Sequence, residues 1–221
     1  MNKLIVFDFD GTLVDSRALI LECHRTVFTE FGLPLPSQRD SLSLIGKSLE
    51  LVLAELAGAN APIAEMVMAY GRVLPQLRAD AAFAEMPFDG IGGLLADLSL
   101  TSGVVLGIAT GHTSGAVVPA LDALGWRHFF RTIQAADMAP SKPHPGMLFQ
   151  ALKATGTKPE DAAFVGDTVF DMEMARSAKL QAIGVGWGYH GAQQLIAAGA
   201  KRVVHDVAEL RACIGDILDD R

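Results

Sequence analysis

The sequence predicts an α/β protein: a doubly wound, Rossmann-like parallel sheet with a small helical domain inserted after its first strand. Three features of the 221 residues carry this reading. Short, nearly unbroken apolar runs recur along the chain, as strands buried on both faces require. Stretches of a dozen or more residues with apolar positions three and four apart separate them, which suits crossover helices between parallel strands. One block, 16–86, carries the helical pattern alone.

The first strand candidate, 4–9, begins with Leu4-Ile5-Val6-Phe7 and is closed at once by Asp8. It is shorter than the apolar segment of about 7 to 15 residues in a secretory signal. Helical stretches at 19–30, 48–56 and 63–77 follow, punctuated by Pro34, Pro36, Gly58 and Pro62. The turn residues of Pro87-Phe88-Asp89-Gly90 mark the return to the sheet. Apolar runs at 104–109, 132–135, 162–165, 182–185 and 202–204 supply the remaining strands. The expected organisation is therefore a core domain of 1–15 and 87–221 and a helical domain of 16–86.

Composition narrows the function classes. Half the residues are apolar, yet no run reaches the roughly 18 to 20 residues of a membrane span, so a soluble protein without a membrane partner is expected. Cys23 and Cys213 lie far apart, with no Cys or His at metal-ligand spacing beside them. Neither a disulfide framework nor a zinc site is indicated, and a cytoplasmic location is expected. A net charge of −7 without a Lys/Arg run argues against nucleic acid. A small phosphorylated metabolite is compatible, because a divalent cation and one lysine reverse the field locally.

Four strand ends carry polar residues. In Phe7-Asp8-Phe9-Asp10-Gly11-Thr12, strand alternation puts Asp8 and Asp10 on one side, and Gly11 turns the chain. Two converging carboxylates bind a divalent cation, or divide the roles of nucleophile and proton donor. A strand-to-turn junction rich in Asp accounts for the same residues without chemistry. At Ala109-Thr110-Gly111-His112, the Thr110 hydroxyl and the next backbone N–H groups suit a phosphate oxygen, whereas a helix-capping Thr is the simpler account. His112 reads as a loop histidine, without a partner at recognisable spacing. In Ser141-Lys142-Pro143-His144-Pro145, two prolines stiffen the loop and restrict Lys142, whose ammonium suits a phosphate; a solvated surface lysine is the ordinary alternative. In Val165-Gly166-Asp167-Thr168-Val169-Phe170-Asp171, the two carboxylates stand about one helical turn apart. They suit one metal or a metal and its support, in competition with plain helix capping. All four places fall at the same end of a parallel sheet, where ligands bind in such folds.

In this order, Asp8-x-Asp10-Gly11-Thr12, Thr110, Lys142-Pro143 and Gly166-Asp167-x-x-x-Asp171 resemble the haloacid dehalogenase superfamily over nearly the whole chain. Within it the chain is most similar to the phosphoglycolate phosphatase group, and the helical block resembles that superfamily's mobile cap. The resemblance implies a phosphatase in which Asp8 attacks phosphorus while Asp10 protonates the leaving alcohol and later activates water. It implies Mg²⁺ held by Asp8, by the main-chain carbonyl of Asp10 and by Asp167, with Asp171 ligating or supporting. Thr110, Gly111 and Lys142 would hold phosphoryl oxygens, phosphoglycolate is the reference substrate, and a monomer or small homo-oligomer is expected. Leu44-Ile45-Gly46-Lys47-Ser48-Leu49 resembles a specificity loop, so Lys47 or Ser48 is expected to contact the leaving group or to seal out water.

Other chemistries of the superfamily leave different marks. Dehalogenases lack a carboxylate at the place of Asp10, and hexose phosphate mutases carry arginine where Leu49 stands. Phosphonoacetaldehyde hydrolases use a Schiff-base lysine in the cap, for which Lys47 is the candidate. A phospho-acceptor switch of the receiver kind combines similar residues in another order and has no use for the insertion. Two departures stand out: Gly111 replaces the Asn common in the second motif, and His144 replaces the acidic residue that often follows Lys-Pro.

Overall fold

The computed structural model describes residues 2–58 and 60–219. Its first strand, β1 (Lys3–Phe7), is followed by β2 (Val14–Asp15) and four helices, α1 (Arg17–Glu30), α2 (Gln38–Ser43), α3 (Leu49–Ala57) and α4 (Ile63–Arg78). After β3 (Met86–Pro87), helices and strands alternate: α5 (Ile91–Leu100), β4 (Val104–Ala109), α6 (Ser114–Ala123), β5 (Phe130–Gln134), α7 (Gly146–Thr155), β6 (Ala162–Gly166) and α8 (Val169–Ser177). The chain continues through β7 (Gln181–Val185), α9 (Ala192–Ala198), β8 (Arg202–Val204) and α10 (Val207–Asp219). Six strands form one sheet in the order β5-β4-β1-β6-β7-β8, parallel at every pairing. No helix among the described residues is long and apolar enough to cross a membrane.

The apolar runs are unbroken because helices cover both faces. Ile5 and Phe7 of β1 pack with Leu94 and Leu98 of α5 and Ile214 of α10, while Leu4 and Val6 pack on the other face with Met147 and Leu148 of α7 and Met172 of α8. Alternation by two thus puts the four apolar residues of the central strand, Leu4 to Phe7, into one or the other of two cores. β1 ends at Phe7 and does not continue to residue 9, because the Asp8 side chain takes the next amide: Phe9 N donates to Asp8 Oδ1 at 2.7 Å. The neighbours of β1, β4 and β6, lead to helices on opposite faces, so a crevice opens at their carboxyl ends.

Helices α1, α3 and α4 build their own core from Leu19, Cys23, Phe28, Leu53, Met66 and Tyr70. The chain enters and leaves this helical block through an antiparallel ribbon in which Val14 pairs with Pro87 and Asp15 with Met86. The sequence reading contains neither this ribbon nor α2, since two-residue strands and a six-residue helix are too short to display a period.

His24 of α1 is buried at the edge of this core, and its Nδ1 has no hydrogen-bond partner. Burial lowers its pKa from 6.5 to about 4. A histidine with a depressed folded pKa takes up its proton more readily when unfolded, so stability is present above pH 6.5 and is lost as pH falls toward 4. The loss amounts to roughly 3 kcal/mol. Thermal melts from pH 7.5 to 4.5 should show wild type losing that much more than His24→Leu, and parallel pH profiles would refute the assignment.

Candidate active site

β1 and β6 end side by side at Phe7 and Gly166, and Asp8 N, just beyond β1, still donates to Val165 O at 2.9 Å. This places Asp8 next to Asp167, which follows β6, and to Asp171 in the first turn of α8. The loop before α7 delivers Lys142, a fully buried side chain whose Nζ lies 2.7 Å from Asp8 Oδ1 and 2.8 Å from Asp171 Oδ1. A solvated surface lysine is thereby excluded.

Both oxygens of Asp171 are occupied. Oδ1 faces Lys142, and Oδ2 accepts from Thr168 N at 2.9 Å, Thr168 Oγ1 at 2.8 Å and Asp167 N at 3.2 Å. Thr168 and Asp171 also form the capping box of α8, so helix capping and site construction are the same set of bonds here. Asp167 Oδ1 accepts from Thr12 Oγ1 and its Oδ2 from Tyr189 N, each at 2.9 Å. Gly11, with φ +72°, lies so close that a Cβ there would run into the Asp167 carboxylate.

Asp8, Asp167 and Asp171 offer oxygens within 4.8 Å of one another, and all three are buried. Three carboxyl groups share the Lys142 ammonium, which pairs with two of them. Burial pushes the Asp8 carboxyl up to about 7 despite Lys142, and burial followed by Asp171 and Asp8 pushes Asp167 well above the carboxylate range. Burial lowers the Lys142 ammonium less than Asp171 and Asp8 raise it. Asp8 Oδ2 is buried without any hydrogen-bond partner. A second cation among these oxygens would supply the missing charge, and an all-carboxylate donor set suits a hard divalent ion such as Mg²⁺.

The Asp10 carboxylate belongs to a separate cluster. Its Oδ1 accepts from Ser16 Oγ at 2.5 Å and its Oδ2 lies 2.7 Å from His112 Nε2. Burial would raise the Asp10 carboxyl, but His112, Ser16 and Arg78 hold it below the usual range; the same pair raises His112 against its own burial. His112 stands in a loop, as expected, but the expectation that it has no partner is corrected. Its partner stands on another strand end, beyond the reach of any local spacing rule. Behind the pair, Arg78 Nε binds Glu85 Oε2 at 2.7 Å and Arg78 Nη1 donates to Ala116 O at 2.9 Å, joining α4 to α6.

Thr110 is fully buried and is not the cap of α6, a position held by Thr113; its Oγ1 accepts from His112 N at 3.2 Å. Gly111 lies beneath the specificity-like loop, where the carbonyl oxygens of Gly46 and Lys47 leave no room for a Cβ. Lys47 turns its ammonium to Glu55 at 2.6 Å and over the Phe170 ring at 4.8 Å. Ser48 N donates to Ser141 Oγ at 2.7 Å, next to Lys142. His144 accepts from Gly146 N at 3.1 Å and serves the start of α7. Ser16, Arg78, Glu85 and Tyr189 carry no local sign of a site: Tyr189 meets Asp167 and Ser16 from 22 and 173 residues away, and the Ser16–Asp10 and Arg78–Glu85 pairs, six and seven residues apart, do not lie within one helix or strand.

A model described as haloacid dehalogenase-like hydrolase matches residues 5–185. Among curated relatives, a probable phosphatase, IndB, of Dickeya dadantii is 32% identical over 95% of this chain and 92% of its own. A phosphoglycolate phosphatase of Agrobacterium fabrum is 29% identical over 86% of this chain and 82% of its own. Among solved structures, a haloacid dehalogenase-like hydrolase of Streptococcus pneumoniae superposes with a TM-score of 0.83 at 29% identity, covering 96% of this chain and 98% of the other. The described fold, with its six parallel strands and flanking helices, is the fold of that structure.

Proposed function

We propose, given that this chain belongs to the haloacid dehalogenase-like hydrolase family, that it hydrolyses a small phosphate monoester with Mg²⁺ through a phosphoryl group carried on Asp8. The phosphatase activity rests on the family and on the phosphatases among its near full-length relatives. The metal, the substrate and the residue roles are our reading. The observation that carries it is the division of labour within Asp8: Oδ1 is tied down by Lys142 and Phe9 N, whereas Oδ2 is buried and free. A carboxylate oriented by one oxygen and unengaged at the other is prepared to attack.

In this reading Asp8 Oδ2 bonds to phosphorus, the bond from phosphorus to the alcohol oxygen breaks, and Asp10 gives that oxygen the proton that the His112–Asp10 pair holds. Asp10 then takes a proton from water, the water oxygen displaces Asp8 from phosphorus, and phosphate leaves. His112 and Ser16 hold Asp10 in place for both transfers. Lys142, Thr110 and the Gly111 N–H would hold the phosphoryl oxygens. Asp8, the Asp10 carbonyl and Asp167 would hold Mg²⁺, with Asp171, both of whose oxygens are engaged, aligning Lys142 and the Asp167 loop. Bound there, Mg²⁺ neutralises charge on the carboxylates and the transferring group. Residues 16–86 act as the cap, and Lys47 and Ser48 close it through main-chain contacts over Gly111 and Ser141.

Phosphate release from a set of monoesters, with Mg²⁺ or with EDTA, tests this directly. Release is expected only with the metal. Asp10→Asn should lower turnover of alkyl phosphates by about 10²- to 10⁴-fold. It should lower turnover of p-nitrophenyl phosphate much less, because that leaving group departs without a proton. Equal losses on the two esters would remove Asp10 as the acid.

A further inference from the structure

We infer that the alcohol released at this site is uncharged and has an apolar body of ring size, unlike the two-carbon carboxylate of phosphoglycolate; the inference rests on the phosphatase reading. A cavity of about 470 Å³ runs from Asp10 and His112 into the space between α1, α3, α4 and α6. At the roughly 30 Å³ that one water occupies in the liquid, such a volume corresponds to on the order of fifteen heavy atoms. Glycolate has five. The walls are built by apolar side chains, Ile20, Ile45, Leu49, Val67, Leu74 and Pro119 among them.

The cations of the lining are already committed. Lys47 is paired with Glu55 at 2.6 Å and His112 with Asp10 at 2.7 Å. Arg78 directs Nε and Nη2 at Glu85 and Nη1 at Ala116 O. A carboxylate on the leaving group would lose its water among apolar walls and meet only cations whose charge is already matched. An apolar ring system meets no such obstacle and gains by leaving water.

Gly71 of α4 offers a selective test. It lines the cavity, and a Cβ built on it meets nothing within 4 Å, so a large side chain enters empty space. Replacing a mid-helix glycine also favours the helix. Gly115 of α6 lines the opposite wall and is equally open, which provides an independent second variant.

The experiment compares kcat/KM for 2-naphthyl phosphate, methyl phosphate and phosphoglycolate with Mg²⁺ in wild type, Gly71→Phe and Gly115→Leu. Calorimetry of 2-naphthol binding serves as a readout independent of turnover. Wild type should prefer 2-naphthyl phosphate over phosphoglycolate by about tenfold or more. Both variants should lower the naphthyl-to-methyl ratio by about tenfold and weaken 2-naphthol binding to match. A preference for phosphoglycolate, ratios unmoved by both substitutions, or no binding of 2-naphthol would overturn the inference, while Asp8-dependent release from any ester would leave the phosphatase standing. No release from any ester would remove the phosphatase reading and the inference with it.

Discussion

Asp8→Asn is expected to abolish Mg²⁺-dependent phosphate release, by about 10⁴-fold or more in kcat/KM, without unfolding the protein. The substitution keeps the shape of the side chain and removes the carboxylate that we propose as the nucleophile, and a fall of that size corresponds to roughly 5 kcal/mol of transition-state stabilisation. The effect on stability has the opposite sign. Wild type buries Asp8 beside Asp167 and Asp171, and burial lifts the Asp8 carboxyl from 3.8 to about 7. A carboxyl with a raised folded pKa holds its proton more tightly folded than unfolded, so stability is lost as pH rises from about 4 to about 7 and returns as pH falls. Asparagine has no such proton to lose. In EDTA at pH 8 the variant should melt no lower than wild type, and the two curves should converge toward pH 5. His24 titrates in both proteins and cancels in the comparison. An inactive variant that melts far below wild type at pH 8 would mean that Asp8 is needed for folding, and the loss of activity would carry no information about a nucleophile. Retained activity would remove Asp8 from that role.

The strands and the residues that end them were legible for a single reason. Helices cover both faces of the sheet, so β1, β4 and β6 read as unbroken apolar runs, and a polar residue after such a run marks the sheet's carboxyl edge. Asp8, Thr110 and Asp167 stand immediately beyond those strands. Lys142 was visible as a residue type between prolines, but its burial was not, since burial depends on the two carboxylates that it faces. His112 was misread because pairing with Asp10 requires β1 and β4 to be neighbours, a fact of sheet order. Arg78 and Glu85 were missed for a related reason: a charged pair near the end of a helical block looks like solvated surface until α4 is seen against α6. The apolar cavity was hidden as well. Leu49 and Leu74 satisfy the helical period in the way core residues do, and only the packing shows that their side chains border open space.

Lys142→Met is expected to be the most destabilising single substitution at the site and the most sensitive to pH. Methionine preserves much of the unbranched stem while removing the ammonium, so packing over Phe164 changes little and the lost charge dominates. Asp8 and Asp171 then remain buried without their shared counter-ion, and breaking such a pair costs about 3 to 5 kcal/mol. For a chain of this size each kcal/mol lowers Tm by roughly 2 to 4 °C, which puts the expected fall near 10 °C at pH 8 in EDTA. Two conditions should restore part of it. Acidification to pH 6 lets the Asp8 carboxyl take up its proton, which removes part of the uncompensated charge, and Mg²⁺, if bound as proposed, would stabilise the folded state by binding it in preference to the unfolded chain. A double-mutant cycle gives the sharper result: Asp8→Asn with Lys142→Met should melt above Lys142→Met alone, because the second substitution removes one of the charges that the first left unpaired. Additive losses, or a Tm for Lys142→Met equal to that of wild type, would show that the ammonium contributes no net stabilisation to the carboxylate cluster. Activity should fall by about 10²- to 10³-fold even where stability is restored, since protons and Mg²⁺ would replace the charge of Lys142 and not the hydrogen bonds that we propose it makes to a transferring phosphoryl group.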